Sequence, residues 1–250
     1  MPSDAPERAT VRLYGGLDWF APDADRDGVV EVPIAAARSV KDLVESVGVP
    51  HVEVGRLVRD GATVGFEERV DGACRLAVYP VSATLDDIGL RPPPPDPVRF
   101  VADVHLGVLA RRLRALGFDT WWSRDADDEE LARLAVDDER VLLSRDRGLL
   151  MRRVVVHGHC PRADDPDLQV VEVLRRYDLY GRAAPFTRCV TCNDVLVPVT
   201  KDAVWEDLPP RTRVDHDDFV RCDGCGQVFW PGSHHAAMTR WMQAVLRPDA

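Results

Sequence analysis

Two sets of residues in this 250-residue sequence have the types and spacing to do chemistry. The first is four cysteines in two C-x-x-C pairs, Cys189 and Cys192 in RCVTCN and Cys222 and Cys225 in RCDGCG, with 29 residues between the pairs. Two such knuckles offer four thiolates to a tetrahedral Zn²⁺ and leave no open position, so the site they imply is structural. LVPVT and DDFVRC, between the pairs, have the composition of strands, which makes residues 186–250 a zinc ribbon followed by a C-terminal helix. A thioredoxin-like redox pair is the other reading of C-x-x-C, but the parallel-sheet pattern that accompanies it is missing around these cysteines. Cys74 and Cys160 read as small buried hydrophobes.

The second set is acidic. Asp103 ends the apolar run VRFVADV, and Asp146 follows the run VLLS in VLLSRDRGLL. If these runs are neighbouring strands of a parallel sheet, both acids face the crevice at the carboxyl ends of the strands, where ligands bind. Two carboxylates there suit a hard divalent ion, Mg²⁺ or Mn²⁺. Simpler roles stand beside this one: Asp103 as a helix cap and Asp146 as the first residue of a turn. By spacing, Asp127 to Glu130 reads as a capping box, with Asp128 and Glu129 favouring the helix dipole. Asp164 and Asp165 precede a helix that starts with proline and read as caps too.

The elements that must position these acids alternate strand and helix. After VRFVADV, the residues Leu106, Leu109, Ala110, Leu113 and Leu116 form one apolar helical stripe ended by Gly117. FDTWWS, RVLLS and VVVHG read as further strands, with DDEELARLAVDDE and DPDLQVVEVLRRYDLY as helices. Strands spaced by such helices predict a parallel sheet with helices on its faces. Arg111, Arg112 and Arg114 lie off the stripe, toward solvent. There they are either a solvated face or phosphate contacts that position a nucleic acid without reading its sequence. Arg145 and Arg147 flank Asp146 and could neutralise a phosphate or fix the acid. His234 and His235 in FWPGSHHAAM read as a surface turn, with metal or phosphate contact as the alternative, and Phe229 and Trp230 as packing.

Before this segment lies a β-rich one. TVRLYG and VVEVPI are strands, SVKDLVESVG is a helix with Ser39 as N-cap, and VGRLVRDGATV is a hairpin turning at Asp60-Gly61. DGACRLAVYPV closes the order as a last strand. Residues 8–82 thus resemble the ubiquitin-like β-grasp fold of small sulfur carriers. The segment lacks their Gly-Gly end, so it reads as a binding or assembly domain. The run RPPPPDP, residues 91–97, is a stiff polyproline spacer. The divisions are therefore 1–90, 91–97, 98–185 and 186–250.

The formal charge is −10, which argues against bulk attraction to nucleic acid. Residues 98–187 are nearly balanced, with 15 basic and 16 acidic side chains, so a local basic face remains open there. No apolar run is long enough to span a membrane or resembles a signal peptide, which makes a cytoplasmic protein the expectation.

FVADVHLGVLARRLRALGFDT, DADDEELARLA, VLLSRDRGLL and FVRCDGCGQVFWPGSHHAAM, in that order, resemble the PIN-like ribonuclease family named for the Mut-seven C-terminal domain. The resemblance covers about residues 98–240, and a β-grasp segment accompanies this family in bacteria. It implies an α/β fold with a PIN-like parallel sheet, preceded by the ubiquitin-like domain and followed by the zinc ribbon. It implies a metal-dependent ribonuclease acting on RNA, with Asp103, Asp128, Glu129 and Asp146 as the catalytic acids. Asp103 and Asp146 would hold Mg²⁺ or Mn²⁺, and Cys189, Cys192, Cys222 and Cys225 would hold Zn²⁺. RNA would lie along Arg111, Arg112, Arg114 and Arg145, and the ubiquitin-like domain would take a protein partner. Asp165 is a weaker match to a further acid. Ser144 stands where the family's T-R-D motif has threonine, Asp127 where S-D-E-E-L has serine, and His105 where another residue is expected. The alternative is a non-catalytic RNA- or ribosome-associated adaptor.

Overall fold

The computed structural model describes residues 7–82 and 89–247. Contacts divide the chain into two compact units, Met1–Pro95 with Asp127–Cys160, and Asp96–Ala126 with Pro161–Ala250. The units cut across the middle segment read from the sequence. Part of the stretch SATLDDIG, residues 83–88, lies outside the described residues.

The first unit contains a β-grasp domain. Its strands are β1 (Glu7–Leu13), β2 (Val29–Ile34), β3 (Arg38–Ser39), β4 (Val54–Arg59), β5 (Ala62–Thr63), β6 (Arg69–Val70) and β7 (Cys74–Pro80), with helix α1 (Val40–Ser46) after β3. The main sheet has the order β2-β1-β7-β4-β5, and β3 pairs separately with β6. The strands β1 and β7 run parallel, with Ala9 opposite Cys74, Val11 opposite Leu76 and Leu13 opposite Val78. Alternation puts all six side chains on the buried face, where Val40, Leu43 and Val44 of α1 are also buried. Ser39 caps α1 in a reciprocal box with Asp42. Asp60 and Gly61 both take positive φ, 48° and 88°, as the tight turn between β4 and β5 requires.

The same unit holds α3 (Asp128–Asp137), β10 (Val141–Leu143), α4 (Arg147–Leu150) and β11 (Gly158–His159). β10 and β11 pair in parallel, Leu142 with Gly158 and Leu143 with His159. The run VVVHG is therefore not itself the strand. Val154 and Val156 are exposed, and the pairing partners lie at the end of the run and just beyond it. Arg91, at the head of the proline run, donates to the carbonyls of Val52 (2.7 Å), His51 (3.0 Å) and Val54, which ties that end down.

The second unit holds β8 (Phe100–Ala102), α2 (Gly107–Ala115), β9 (Thr120–Trp122) and α5 (Pro166–Arg176). β8 and β9 pair in parallel, Phe100 with Thr120 and Ala102 with Trp122. Leu109, Leu113 and Leu116 of the stripe are fully buried, as are Val170, Val173 and Leu174 of α5. Gly107 opens α2 where a Cβ would sit 2.6 Å from Trp122 Cζ2, so only glycine lets the helix start pass the indole. Gly117, at φ 92°, closes it as expected, with Phe118 N–H bonded back to the Leu113 carbonyl.

The ribbon belongs to this unit. Its strands β12 (Leu196–Val199), β13 (Phe219–Cys222) and β14 (Val228–Phe229) form an antiparallel sheet, with the short helix α6 (Pro210–Asp215) between β12 and β13. Val204, Leu208 and Phe219 make its small core. The last helix, α7 (Ser233–Val245), contains His234 and His235 in its first turn, and His235 stacks on Phe186 at 4.5 Å. Among the described residues no helix is long and apolar enough to cross a membrane.

Candidate functional site

The four cysteines come together. Their sulfurs all lie within 4.8 Å of one another. Cys189 Sγ is 3.7 Å from Cys225 Sγ, and Cys192 Sγ is 3.3 Å from Cys222 Sγ. Zinc–sulfur bonds of about 2.3 Å in a tetrahedron separate the sulfurs by about 3.8 Å, so the cluster could hold Zn²⁺ after shifts of up to about 1 Å, the short pairs opening and the wide ones closing. The two knuckles turn alike. Asn193 (φ 77°) and Gly226 (φ 74°) take left-handed conformations, and their amides bond to the carbonyls of Cys189 and Cys222. Burial works to raise the Cys192 thiol, but the Asp194 backbone amide and the neighbouring cysteines bring it down to about 7. Burial pushes Cys222 up to about 12. Thiols so spread hold protons that a bound metal would displace.

The first knuckle is anchored on α2 and β9. Arg114 is 2% exposed. Its Nε donates to the Thr120 carbonyl at 2.8 Å, and Nη1 donates to the carbonyls of Thr191 at 2.9 Å and Val190 at 3.3 Å. Burial lowers its pKa, against the pull of the Cys192 and Cys189 sulfurs. The expectation that Arg114 faces solvent and contacts nucleic acid is therefore corrected: the ribbon covers that side of α2 and the guanidinium is spent on carbonyls. Asn193 adds a second anchor, accepting from Thr120 N–H and donating to Asp119 Oδ1, both at 2.9 Å. The sequence signal for it was the asparagine directly after C-x-x-C, a residue type tolerant of positive φ.

Arg112 is also engaged. It pairs with Asp167 on α5 and lies over the Trp241 ring at 5.5 Å, while Trp241 Nε1 donates to the same carboxylate. Its reading as a free phosphate contact is corrected by this α2–α5–α7 tie. Arg111 remains exposed on α2, and Arg145 is exposed beside Asp146.

Each acid has its own local setting. Asp103 directly follows β8, is 7% exposed, and accepts from the His105 amide at 3.3 Å. Asp146 lies three residues after β10 and caps α4, accepting from Gly148 N–H at 2.7 Å and Leu149 N–H at 3.2 Å. Its own amide donates to the Oγ of the fully buried Ser144 at 2.9 Å. Asp127 caps α3 through Glu130 N–H at 2.8 Å, the forward half of the expected box. Asp128 pairs with Arg152 at 3.7 Å, and Glu129 is exposed on the same first turn. Asp165 caps α5 through Asp167 N–H. The histidines of α7 are not part of the four-cysteine group.

One buried acid was missed. Glu53 is fully buried; its Oε1 accepts from Cys160 N–H at 2.7 Å and lies 3.1 Å from His159 Nδ1. A lone acid inside the apolar run VEVG was the signal available for it.

A β-grasp domain, parallel strands each followed by an acid, and a four-cysteine ribbon together define a modular α/β protein. The model of the Mut7-C RNAse domain matches residues 98–242, more than half of the chain, and the chain belongs to that family. The model of the Mut7-C ubiquitin domain matches residues 7–86. No curated protein and no solved structure matches the chain.

Proposed function

We propose that the chain is a metal-dependent ribonuclease that hydrolyses phosphodiester bonds of RNA in the cytoplasm, where four thiols stay reduced. The family match carries this reading, because it spans the two segments in which Asp103 and Asp146 each follow a strand. Asp103 and Asp146, with Asp128 or Glu129 as a third acid, would hold Mg²⁺ or Mn²⁺. Bound there, such an ion supplies an activated water and offsets charge on the phosphate. Asp103 is pre-oriented by the His105 amide, and Asp146 by two helix amides and the buried Ser144, so neither carboxylate needs to reorganise. Arg111 and Arg145 contact backbone phosphates, and a closed zinc site holds the ribbon rigid beside α2. The ubiquitin-like domain takes a protein partner.

The adaptor reading draws on one observation: Asp103 and Asp146 already serve as caps, a role that needs no metal. RNA cleavage in the presence and absence of Mn²⁺ separates the two. The nuclease cleaves only with the ion, and Asp103→Asn and Asp146→Asn each reduce the rate about 100-fold or more. An adaptor retains RNA without cutting it, and the three proteins behave alike.

A further inference from the structure

The unit that contains the β-grasp domain also contains the loop bearing Asp146. Three features join them. Arg147, the first residue of α4, donates from Nη1 to the Phe20 carbonyl at 2.7 Å. It reaches that carbonyl past Gly48, which sits at φ 97°. A Cβ there would lie 2.5 Å from Phe20 O and 3.3 Å from Arg147 Nη1. Further along the chain, Glu53 receives Cys160 N–H and faces His159 at the end of β11. His51 spans from Glu45 Oε1 (2.7 Å at Nδ1) to the Val155 carbonyl (2.9 Å at Nε2). Gly158 completes the fit: a Cβ there would meet Leu150 Cδ2 at 2.9 Å and Val52 Cγ2 at 3.2 Å.

We propose that the ubiquitin-like domain is a positioning element of the acidic site, gripping the Asp146 loop through Arg147 and Phe20 and the end of β11 through Glu53. Arg147 is then a positioning residue. Its guanidinium is bonded to the Phe20 carbonyl of the ubiquitin-like domain, and it holds the first turn of α4, whose amides orient the Asp146 carboxylate. A charge-assisted bond to a carbonyl is well suited to this, since it is directional and costs little when made at a half-exposed site. The domain so used need not recruit anything for its contact with residues 127–160 to matter. The inference rests on the nuclease reading for the consequence at the metal, and on geometry alone for the grip itself.

The test uses the zinc-loaded full chain with Arg147→Ala and Arg147→Lys. Amide exchange at Gly148 and Leu149, read by NMR, reports the grip directly. The alanine variant is expected to exchange about tenfold faster, the effect of losing one charge-assisted hydrogen bond, and lysine to recover most of the protection. Mn²⁺ affinity in the alanine variant falls by a similar factor, with lysine again restoring it, while the melting temperature changes little because the side chain is exposed. Parent-like exchange at both amides in Arg147→Ala overturns the proposal, as does a loss of protection that lysine does not restore. Asp146→Asn separates this from the nuclease reading. If that variant binds Mn²⁺ as the parent does, the metal assignment falls, while the exchange data still decide whether the domain holds the loop.

Discussion

Arg114→Ala tests how the ribbon is joined to α2. The side chain is 2% exposed and satisfies three carbonyls, those of Thr120, Val190 and Thr191. Val190 and Thr191 lie on a partly exposed knuckle and regain water when the guanidinium is removed. Thr120 is fully buried and does not. One orphaned buried acceptor costs about 2 kcal/mol, and the lost packing of the aliphatic stem adds about 1–2 kcal/mol. The sum, about 3–4 kcal/mol, corresponds to a fall in melting temperature of about 6–15 °C for a chain of this size. Arg114→Met keeps the stem and loses the donors, so it is expected to show about half of that loss. Because two of the carbonyls lie within the first knuckle, zinc affinity also falls, by about 10–100-fold. Scanning calorimetry of the zinc-loaded protein and a chelator competition measure the two effects. An alanine variant that melts within about 2 °C of the parent and keeps its zinc affinity would refute the reasoning.

Cys222, pushed up to about 12, and Cys225, also raised, keep their protons in the metal-free protein at neutral pH. Zinc uptake is therefore expected to release about two or more protons per ion and to tighten as pH rises; calorimetry in buffers of different ionisation enthalpy counts them. The Asp42 carboxyl is held below its ordinary 3.8 chiefly by the Ser39 hydroxyl. Its folded-state pKa is depressed, so the stability it contributes is present above the unfolded value and is lost as pH falls through the lower folded one. Asp42→Ala should cost about 1 kcal/mol near neutral pH and almost nothing in strong acid, as read from urea unfolding at the two pH values. Gly107→Ala forces a methyl group against the Trp122 ring and is expected to destabilise by about 1–3 kcal/mol, with a matching change in Trp fluorescence on melting.

What was legible in the sequence was local. The cysteine pairs, the Asp60-Gly61 turn, the Ser39 cap and the Leu106–Leu116 stripe each depend on residues close together, and each is found as expected. What was hidden depends on distant partners. Arg114 lies off the apolar stripe and reads as solvent-facing, and only the knuckle 76–77 residues later buries it. The strand β11 is set by its pairing with Leu142 and Leu143, not by the three valines that advertise a strand a few residues earlier. Glu53 meets Cys160 across 107 residues, so nothing near either one announces that the β-grasp domain and the Asp146 loop share a unit. For the acids, spacing offered both a cap and a ligand. The caps are present, and the two roles are compatible because each capping bond leaves carboxylate lone pairs available.

The most direct measurement is a double-mutant cycle on Mn²⁺ binding by zinc-loaded protein, using Asp103→Asn, Asp146→Asn and the two combined. If both carboxylates grip one ion, each single change removes most of the affinity and the pair together is little worse than either one. Losses that simply add, or parent-like binding in either single variant, would mean that the two aspartates do not share a cation.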